Sequence, residues 1–139
     1  MAKDQNEKEM KEMYVEYQMI TQQVKQTQEQ LEKIQEQIAD ITDVTQNITS
    51  LGKVENKKDM FIPIANGIFV ETTLKDNKNL LVNVGGDTVV KKSFNDVNEM
   101  LGQQQNDLEE LHGNLMVQFQ QLHQKSEEIE KKLKTFVEK

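Results

Sequence analysis

Apolar side chains recur at alternating steps of three and four residues along the first fifty positions of the chain. This spacing, kept over more than about four heptads, is typical of the seam of a coiled-coil helix. The positions in between are mostly Gln, Glu and Lys, which favour helix and stay solvated. Because Gly52 is the first glycine or proline, the pattern predicts one helix over residues 1–51. Its predicted seam is Met10, Met13, Tyr17, Ile20, Val24, Thr27, Leu31, Ile34, Ile38, Ile41, Thr45 and Ile48.

A second stretch with coiled-coil spacing follows residue 93 and predicts a helix over residues 94–139. Ser93 is placed to cap its amino terminus, and Asp96 can complete a pair that resembles a capping box. The spacing slips where Leu111, Leu115 and Phe119 are each four residues apart, which predicts a stutter that locally unwinds the supercoil. The predicted seam is Phe94, Val97, Leu101, Gln104, Leu108, Leu111, Leu115, Phe119, Leu122, Ser126, Ile129, Leu133 and Phe136.

The two helical arms are nearly equal in length, roughly 40 residues or about 60 Å each at the rise of an α-helix. Equal lengths allow the two seams to cover each other from end to end. We therefore expect the arms to pair as one antiparallel coiled coil. Both chain termini would then lie at one end, which we call the tip.

Between the arms, residues 52–93 contain four short runs rich in β-branched and aromatic residues, separated by turn signals such as Asn66-Gly67 and Gly85-Gly86. This pattern predicts four strands in two hairpins. So small a piece cannot bury a core alone, and several strands are apolar on both faces. We therefore expect strands from several subunits to share one sheet or barrel. The candidate oligomerisation residues are Phe61, Ile62, Ile64, Ile68, Phe69, Val70, Leu80, Leu81, Val82, Val84, Val89 and Val90.

The predicted fold class is α+β: a long antiparallel coiled-coil helical hairpin joined by two small β-hairpins that build an oligomeric β-barrel body. We expect residues 1–139 to form a single subunit with three parts. The first helix covers residues 1–51, the β-hairpin assembly region covers residues 52–93, and the second helix covers residues 94–139.

Net charge and composition narrow the possible partners. The chain carries a net charge of −7, and all 17 basic residues are Lys. Without Arg the chain lacks the guanidinium group that forms paired hydrogen bonds with phosphate or guanine, so we expect no nucleic-acid partner. The absence of Cys excludes a disulfide framework and a thiolate metal site. No apolar run approaches about 18 residues and no apolar segment opens the chain, so we expect no membrane contact, no signal peptide and a cytoplasmic location.

Catalytic signals are weak. His112 and His123 are the only histidines, and eleven residues of helix separate them by about 16 Å, too far to chelate one metal. Both follow a predicted seam Leu and are expected to be solvated. Glu109 and His112 match one half of a di-iron motif that needs two such pairs, which makes a metalloenzyme the weaker alternative. We expect no enzymatic activity, no catalytic residues, no metal and no cofactor.

The predicted tip is more apolar than one seam requires. Met is soft and unbranched, and Met-rich surfaces bind varied partners. The seam residues there can simply close the coiled coil, whereas Tyr14, Met19 and Val137 fall off the seam and are expected to be exposed. The candidate binding residues at the tip are Met10, Met13, Tyr14, Tyr17, Met19, Ile20, Ile129, Leu133, Phe136 and Val137.

Two segments of the insert resemble a known family. They are residues 61–64 (Phe-Ile-Pro-Ile) with residues 67–70 (Gly-Ile-Phe-Val), and residues 82–86 (Val-Asn-Val-Gly-Gly) leading into residues 89–94 (Val-Val-Lys-Lys-Ser-Phe). With the two arms they make the whole chain resemble prefoldin, specifically the α-class subunit found in archaea. Four strands, not two, mark the α class. Family members usually carry a Val-Gly-x-Gly turn, whereas here Gly86 follows Gly85 directly and the turn type stays open.

The resemblance implies an ATP-independent chaperone. Prefoldins are hexamers of two α and four β subunits, with a double β-barrel body and six coiled-coil tentacles. The implied partners are prefoldin β-class subunits, non-native protein clients captured at the tips, and a group II chaperonin that receives them. The resemblance implies no catalytic residues. The alternative is a structural coiled-coil tether or filament subunit, assembled through the same strands and without client binding.

Overall fold

A computed structural model describes residues 2–137 of the chain. Two long helices flank four strands, as the predicted α+β class requires. The elements in chain order are α1 (Ala2–Gly52), β1 (Asp59–Ala65), β2 (Ile68–Thr73), β3 (Asn79–Gly85), β4 (Thr88–Ser93) and α2 (Phe94–Val137). The chain divides into two compact units. We call residues 1–37 with 108–139 the helical unit, and residues 38–107 the β unit.

In the helical unit α1 and α2 run antiparallel. Glu16 of α1 lies 3.7 Å from Lys125 of α2, and further along α1 Gln35 lies 3.3 Å from the ring of His112. All twelve seam positions predicted for α1 are buried or half-buried, so the first predicted seam is confirmed. The buried centre of the unit consists of Ile20, Thr27, Leu31, Ile34 and Ile129.

The seam predicted for α2 is wrong between residues 101 and 115. Leu111 is 47% exposed and Gln104 is also exposed, whereas Gln105 and His112 are half-buried. The consecutive steps of four therefore fall at residues 97, 101 and 105 instead of at residues 111, 115 and 119. The sequence favoured position 111 over position 112 because Leu111 is apolar and His112 is polar, whereas in the structure it is His112 that occupies the seam.

The contact with Gln35 explains how His112 is accommodated there. Its Nε2 atom lies 3.3 Å from Nε2 of Gln35, so the half-buried ring nitrogen has a hydrogen-bonding partner on the opposite helix. The expectation that both histidines are solvated is thus wrong for His112. It holds for His123, an exposed side chain that stacks on Phe119 and lies 3.2 Å from the Glu127 carboxylate.

The β unit contains two antiparallel hairpins in separate sheets. Hairpin A consists of β1 and β2, and hairpin B consists of β3 and β4. In hairpin B the two turn residues, Gly86 and Asp87, both have a φ of 58°. Positive φ at both central positions defines a type I′ turn, whose twist matches that of the flanking strands. This finding settles the turn type that the sequence left open.

The two hairpins repeat each other with an offset of 20 residues. Asp59 faces Thr73 and Phe61 faces Glu71 in hairpin A, and each cross-strand pair of that hairpin recurs 20 positions later in hairpin B. Each hairpin also shifts register just before its turn, where the first strand contains a bulge. The hairpins therefore share one pairing register, but their turns differ: Gly85, Gly86 and Asp87 all have a positive φ, whereas in hairpin A only Gly67 does.

Short polar contacts hold the segments that enter and leave the hairpins. Asn77 donates its backbone N–H to Asn56 Oδ1 at 2.7 Å and its side-chain N–H to the Val54 carbonyl at 3.1 Å. Asp76 accepts from the Lys78 backbone N–H at 2.8 Å, which lowers the pKa of its carboxyl group. At the start of α2, Ser93 Oγ accepts from the backbone N–H of Asp96 at 3.1 Å, which confirms the predicted cap.

Candidate functional surfaces

The helical unit contains an apolar groove near the start of α1 and the end of α2. It has a volume of about 880 Å³ and lies between the first turns of α1 and the last turns of α2. Its apolar walls come from Met10, Tyr14 and Val15 of α1 and from Leu133 and Val137 of α2. Three charged side chains form its rim, namely Lys11, Glu130 and Lys134.

Tyr14 and Val137 are more than half exposed in this groove, where they leave apolar surface in contact with solvent. Met19 is also more than half exposed but does not line the groove. The other candidate residues at the tip lie along the seam, where Ile20 and Ile129 are buried and the rest are half-buried; these half-buried residues are Met10, Met13, Tyr17, Leu133 and Phe136.

Sequence reasoning missed Val15, which is 54% exposed and lines the groove beside Tyr14. Val15 follows a tyrosine off the seam, so a search for apolar pairs outside the seam would have found it. The charged rim gave no signal of its own, because Lys11, Glu130 and Lys134 look like ordinary solvated positions between seam residues. A second, smaller hollow of about 470 Å³ lies on the other side of Met10, between Lys3 and Phe136.

The β unit exposes a second apolar surface. Hairpin A is uncovered on both faces: one carries Ile62, Ile64, Ile68 and Val70, and the other carries Phe61 and Phe69. All six side chains are more than 40% exposed. Hairpin B is different, since its face with Leu80, Val82 and Val90 is half-buried. Its other face exposes Leu81 and Val89, and Val84 beside the turn is also exposed.

Within residues 2–137 no group of three or more His, Cys, Asp or Glu side chains is placed to hold a metal ion. His112 meets an amide and His123 meets one carboxylate, which are contacts of structural polar residues. In the same described part of the chain, no helix is sufficiently long and apolar to cross a membrane. The prominent features are thus two exposed apolar surfaces.

Comparisons with known proteins agree with this architecture. A family model described as Prefoldin subunit matches residues 20–139. Prefoldin subunit alpha from Methanococcus aeolicus is 24% identical over 130 residues, which cover 94% of this chain and 88% of the relative. Prefoldin subunit alpha 1 from Methanocaldococcus jannaschii is 27% identical over 97 residues, which cover 70% and 68% of the two chains.

Among solved structures, a filamentous PFD from Methanocaldococcus jannaschii determined by cryo-EM has a similar fold. The TM-score is 0.70 at 15% sequence identity, and the match covers 81% of this chain and 93% of that one.

The family model matches most of this chain, which shows that the chain belongs to the prefoldin family. Members of that family are chaperone-type subunits and are not enzymes. Its two β-hairpins and its archaeal relatives make it an α-class subunit. Membership also implies that it assembles with other prefoldin subunits.

Proposed function

We propose that this chain is the α-class subunit of a cytoplasmic, ATP-independent chaperone that captures non-native proteins in the tip groove and transfers them to a group II chaperonin. The observation that carries the proposal is the exposed apolar groove of about 880 Å³ between Met10, Tyr14 and Leu133. Non-native proteins differ from native ones by the apolar side chains that they expose. A groove with apolar walls can bind such exposed side chains whatever the amino-acid sequence around them, because the hydrophobic effect is non-directional.

The energetics suit reversible capture. Each apolar side chain of a client that leaves water for the groove gains roughly 1.5–3 kcal/mol. One groove can cover only a few such side chains, and immobilising the client opposes binding. Several grooves that hold one client raise the overall affinity through effective concentration, which is what an assembly of subunits provides. A single groove therefore binds weakly and the assembly holds clients firmly.

The two hairpins serve assembly in this proposal. Hairpin A exposes apolar side chains on both faces. Exposed apolar surface of this extent is typical of a protein–protein interface. We infer that its strands join those of prefoldin β-class subunits in a double β-barrel body, within a hexamer of two α and four β subunits. Holding by desolvation requires no nucleotide, so capture proceeds without ATP.

The groove can be tested separately from assembly. In the assembled complex, changing Tyr14, Val15 and Val137 to Ser removes apolar walls that are already more than half exposed, so the helices should be unaffected. A matched control changes Leu111 and Val117 to Ser, since both are similarly exposed on α2 but lie outside the groove. We expect the groove variant to suppress aggregation of a chemically unfolded enzyme much less well than the control.

Size-exclusion chromatography should show the same assembly for both variants. Equal suppression by the groove variant and the control would place the client site elsewhere on the complex. Suppression that required ATP would contradict the proposed mechanism. Transfer is tested by adding a group II chaperonin and following the labelled client from one complex to the other.

The second candidate is a structural filament subunit, and one observation favours it: the similar solved structure from Methanocaldococcus jannaschii is described as filamentous. Assembly through the same exposed hairpins can produce a chain of subunits in place of a closed ring. Electron microscopy of the purified chain, alone and with a β-class partner, distinguishes the two candidates. Long filaments that do not suppress aggregation would favour the structural role.

A further inference from the structure

The turn of hairpin A contains an asparagine followed by a glycine. Ala65 pairs with Ile68, so Asn66 and Gly67 are the two residues of the connecting loop, and both are exposed. No other asparagine of the chain precedes a glycine. The pair suits a turn, since Gly67 has a φ of 73°, a conformation that glycine adopts without strain. The same pair also brings together two groups that can react with each other.

The reacting groups are the side-chain carboxamide carbon of Asn66 and the backbone nitrogen of Gly67. Once base removes its proton, that nitrogen can attack Cγ of Asn66. An N–Cγ bond then forms while the Cγ–Nδ2 bond breaks, and ammonia leaves with a proton taken from solvent. The product is a five-membered succinimide, which water opens. Cleavage of the N–Cγ bond gives aspartate, whereas cleavage of the bond between the nitrogen and the main-chain carbonyl carbon gives isoaspartate.

The space around Gly67 allows the ring to close. A Cβ atom built on Gly67 would have no heavy atom within 4 Å, so the position is open to solvent. Ring closure also requires the backbone of Asn66 to rotate, and a following glycine resists that rotation least. Hairpin A forms a two-stranded sheet of its own, an arrangement of marginal stability whose turn can open transiently.

The side chain of Asn66 is free to react. It has no hydrogen-bonding partner among residues 2–137. By contrast, Asn56, Asn77, Asn79 and Asn83 all have their side chains in hydrogen bonds. The remaining asparagines lie in α1 and α2, where the next backbone N–H is bonded within the helix or to its cap. Asn66 is therefore distinguished by its conformation as well as by the residue that follows it.

We propose that Asn66 deamidates through a succinimide formed with the Gly67 nitrogen, and that the resulting isoaspartate opens hairpin A while hairpin B keeps its fold. Isoaspartate routes the main chain through Cβ and Cγ, which adds one carbon atom to a loop of only two residues. The closing pair of the hairpin, Ala65 with Ile68, cannot keep its alignment across the longer connection. Both products also add a negative charge to a chain whose net charge is already −7.

Opening hairpin A removes a surface that the proposed function assigns to assembly, and this consequence rests on that function. The exposed Phe61 and Phe69 lie on the two strands that the Asn66 turn connects. A chain with isoaspartate at position 66 therefore assembles poorly. Hairpin B is unaffected, because its turn consists of Gly86 and Asp87 and contains no carboxamide. It shares the pairing register of hairpin A and is thus an internal control within the same chain.

The test follows the full-length chain during incubation in mildly alkaline buffer. Because every basic residue is a lysine, cleavage after lysine releases residues 59–75, in which Asn66 is the only residue with a carboxamide. We expect this peptide to gain about 1 Da, mainly as isoaspartate, which electron-transfer fragmentation distinguishes from aspartate. The rate should rise with hydroxide concentration, because the Gly67 nitrogen reacts only after it loses its proton. The peptide of residues 79–91, from hairpin B, should keep its mass.

Two variants separate the chemistry from the fold. Asn66→Gln keeps a carboxamide but would need a larger ring, so its peptide of residues 59–75 should keep its mass. Gly67→Asp introduces the residue type of the equivalent position in hairpin B, where Asp87 has a φ of 58°. Its Cβ atom should slow the mass gain at Asn66 by about tenfold. After incubation, amides of residues 59–73 should exchange with deuterium faster in the unaltered chain than in Asn66→Gln, while residues 79–93 exchange equally in both.

Three results would overturn the proposal. They are a peptide of residues 59–75 that keeps its mass, a mass gain that depends neither on pH nor on Gly67→Asp, and equal exchange of hairpin A in the incubated chain and in Asn66→Gln. All are measured on this chain alone, so they are decided whether or not it acts as a chaperone.

The consequence for assembly is measured by mixing the incubated chain with prefoldin β-class subunits. Isoaspartate should be depleted in the assembled complex relative to the unassembled chain, and equal amounts in both would contradict that consequence. Failure of the proposed function would instead appear with freshly purified, unmodified chain, as loss of assembly or of aggregation suppression.

Discussion

Two glycines inside α2 are expected to limit the stability of that helix. Gly102 and Gly113 lie well within the helix, both are exposed, and a Cβ atom built on either would have no heavy atom within 4 Å. Replacement by Ala therefore introduces no clash. It also removes the large backbone freedom that glycine has in the unfolded chain, so Gly102→Ala and Gly113→Ala should both stabilise the protein.

The magnitude follows from helix propensity. Ala is favoured over Gly by about 1 kcal/mol in a helix interior. The sites are eleven residues apart, about 16 Å along the helix, and share no partners, so the two effects should add to about 2 kcal/mol. Gly52 provides the contrast. A Cβ atom there would lie 3.3 Å from Phe94 Cδ1, a tight contact that should offset the gain in helix propensity.

Urea unfolding followed by circular dichroism at 222 nm measures these differences. The experiment is run at several protein concentrations, because self-association would add to apparent stability. We expect the double variant to shift the midpoint upward with an unchanged slope, and Gly52→Ala to shift it much less. A double variant that unfolds at the same or a lower urea concentration would refute the reasoning. It would show that the space beside these glycines is occupied or that α2 does not limit unfolding.

Three further predictions concern the seam, the acid response and the helix cap. Leu31→Ala should lower the free energy of unfolding by about 2–5 kcal/mol, whereas Leu111→Ala should change it by about 0.5 kcal/mol, because only Leu31 is buried; equal losses in urea titrations would contradict the corrected seam. The hydrogen bond from Lys78 lowers the pKa of Asp76 below 3.8, so Asp76 stabilises the fold above that pH and the contribution disappears as pH falls through its folded-state pKa. As pH falls below about 5, the free energy of unfolding of the Asp76→Asn variant should decrease less than that of the unaltered chain. Equal decreases in the two proteins would refute this assignment. Ser93→Ala should cost about 1 kcal/mol in thermal unfolding, and an unchanged midpoint would mean that the cap is not needed.

The first seam could be predicted completely because almost every position in it is apolar and the three-four spacing is kept throughout, although Tyr14, Met19 and Val44 offer apolar alternatives one residue away. The second could not, because His112 and Gln105 occupy seam positions while Leu111 offers an apolar alternative one residue away. A polar seam residue that has an apolar neighbour, as His112 has Leu111, is identified only when its partner on the other helix is known. Here that partner is Gln35, 77 residues earlier in the chain.

The exposed surfaces were predictable to different degrees. Apolar strands in a small insert pointed directly to the exposed hairpins. The groove depends on which flanks of the two helices face each other, so its rim residues Lys11 and Glu130 gave no signal. The repeat of the hairpins was hidden because equivalent positions differ in residue type, such as Pro63 and Asn83. Backbone register revealed it, since register is a property of pairing and not of composition.

The contact between Gln35 and His112 belongs to the same helix alignment that forms the groove at the tip. Apolar heptads alone would let α2 slide along α1 by seven residues, about 10 Å, and still place one hydrophobic seam against another. Such a slip separates His112 from its amide partner, and water would have to take the place of Gln35 at this exposed contact. It would also move Leu133 and Val137 away from Met10 and Tyr14, so that no groove remained between them. The contact between Gln35 and His112 is therefore specific to the helix alignment that creates the groove at the tip.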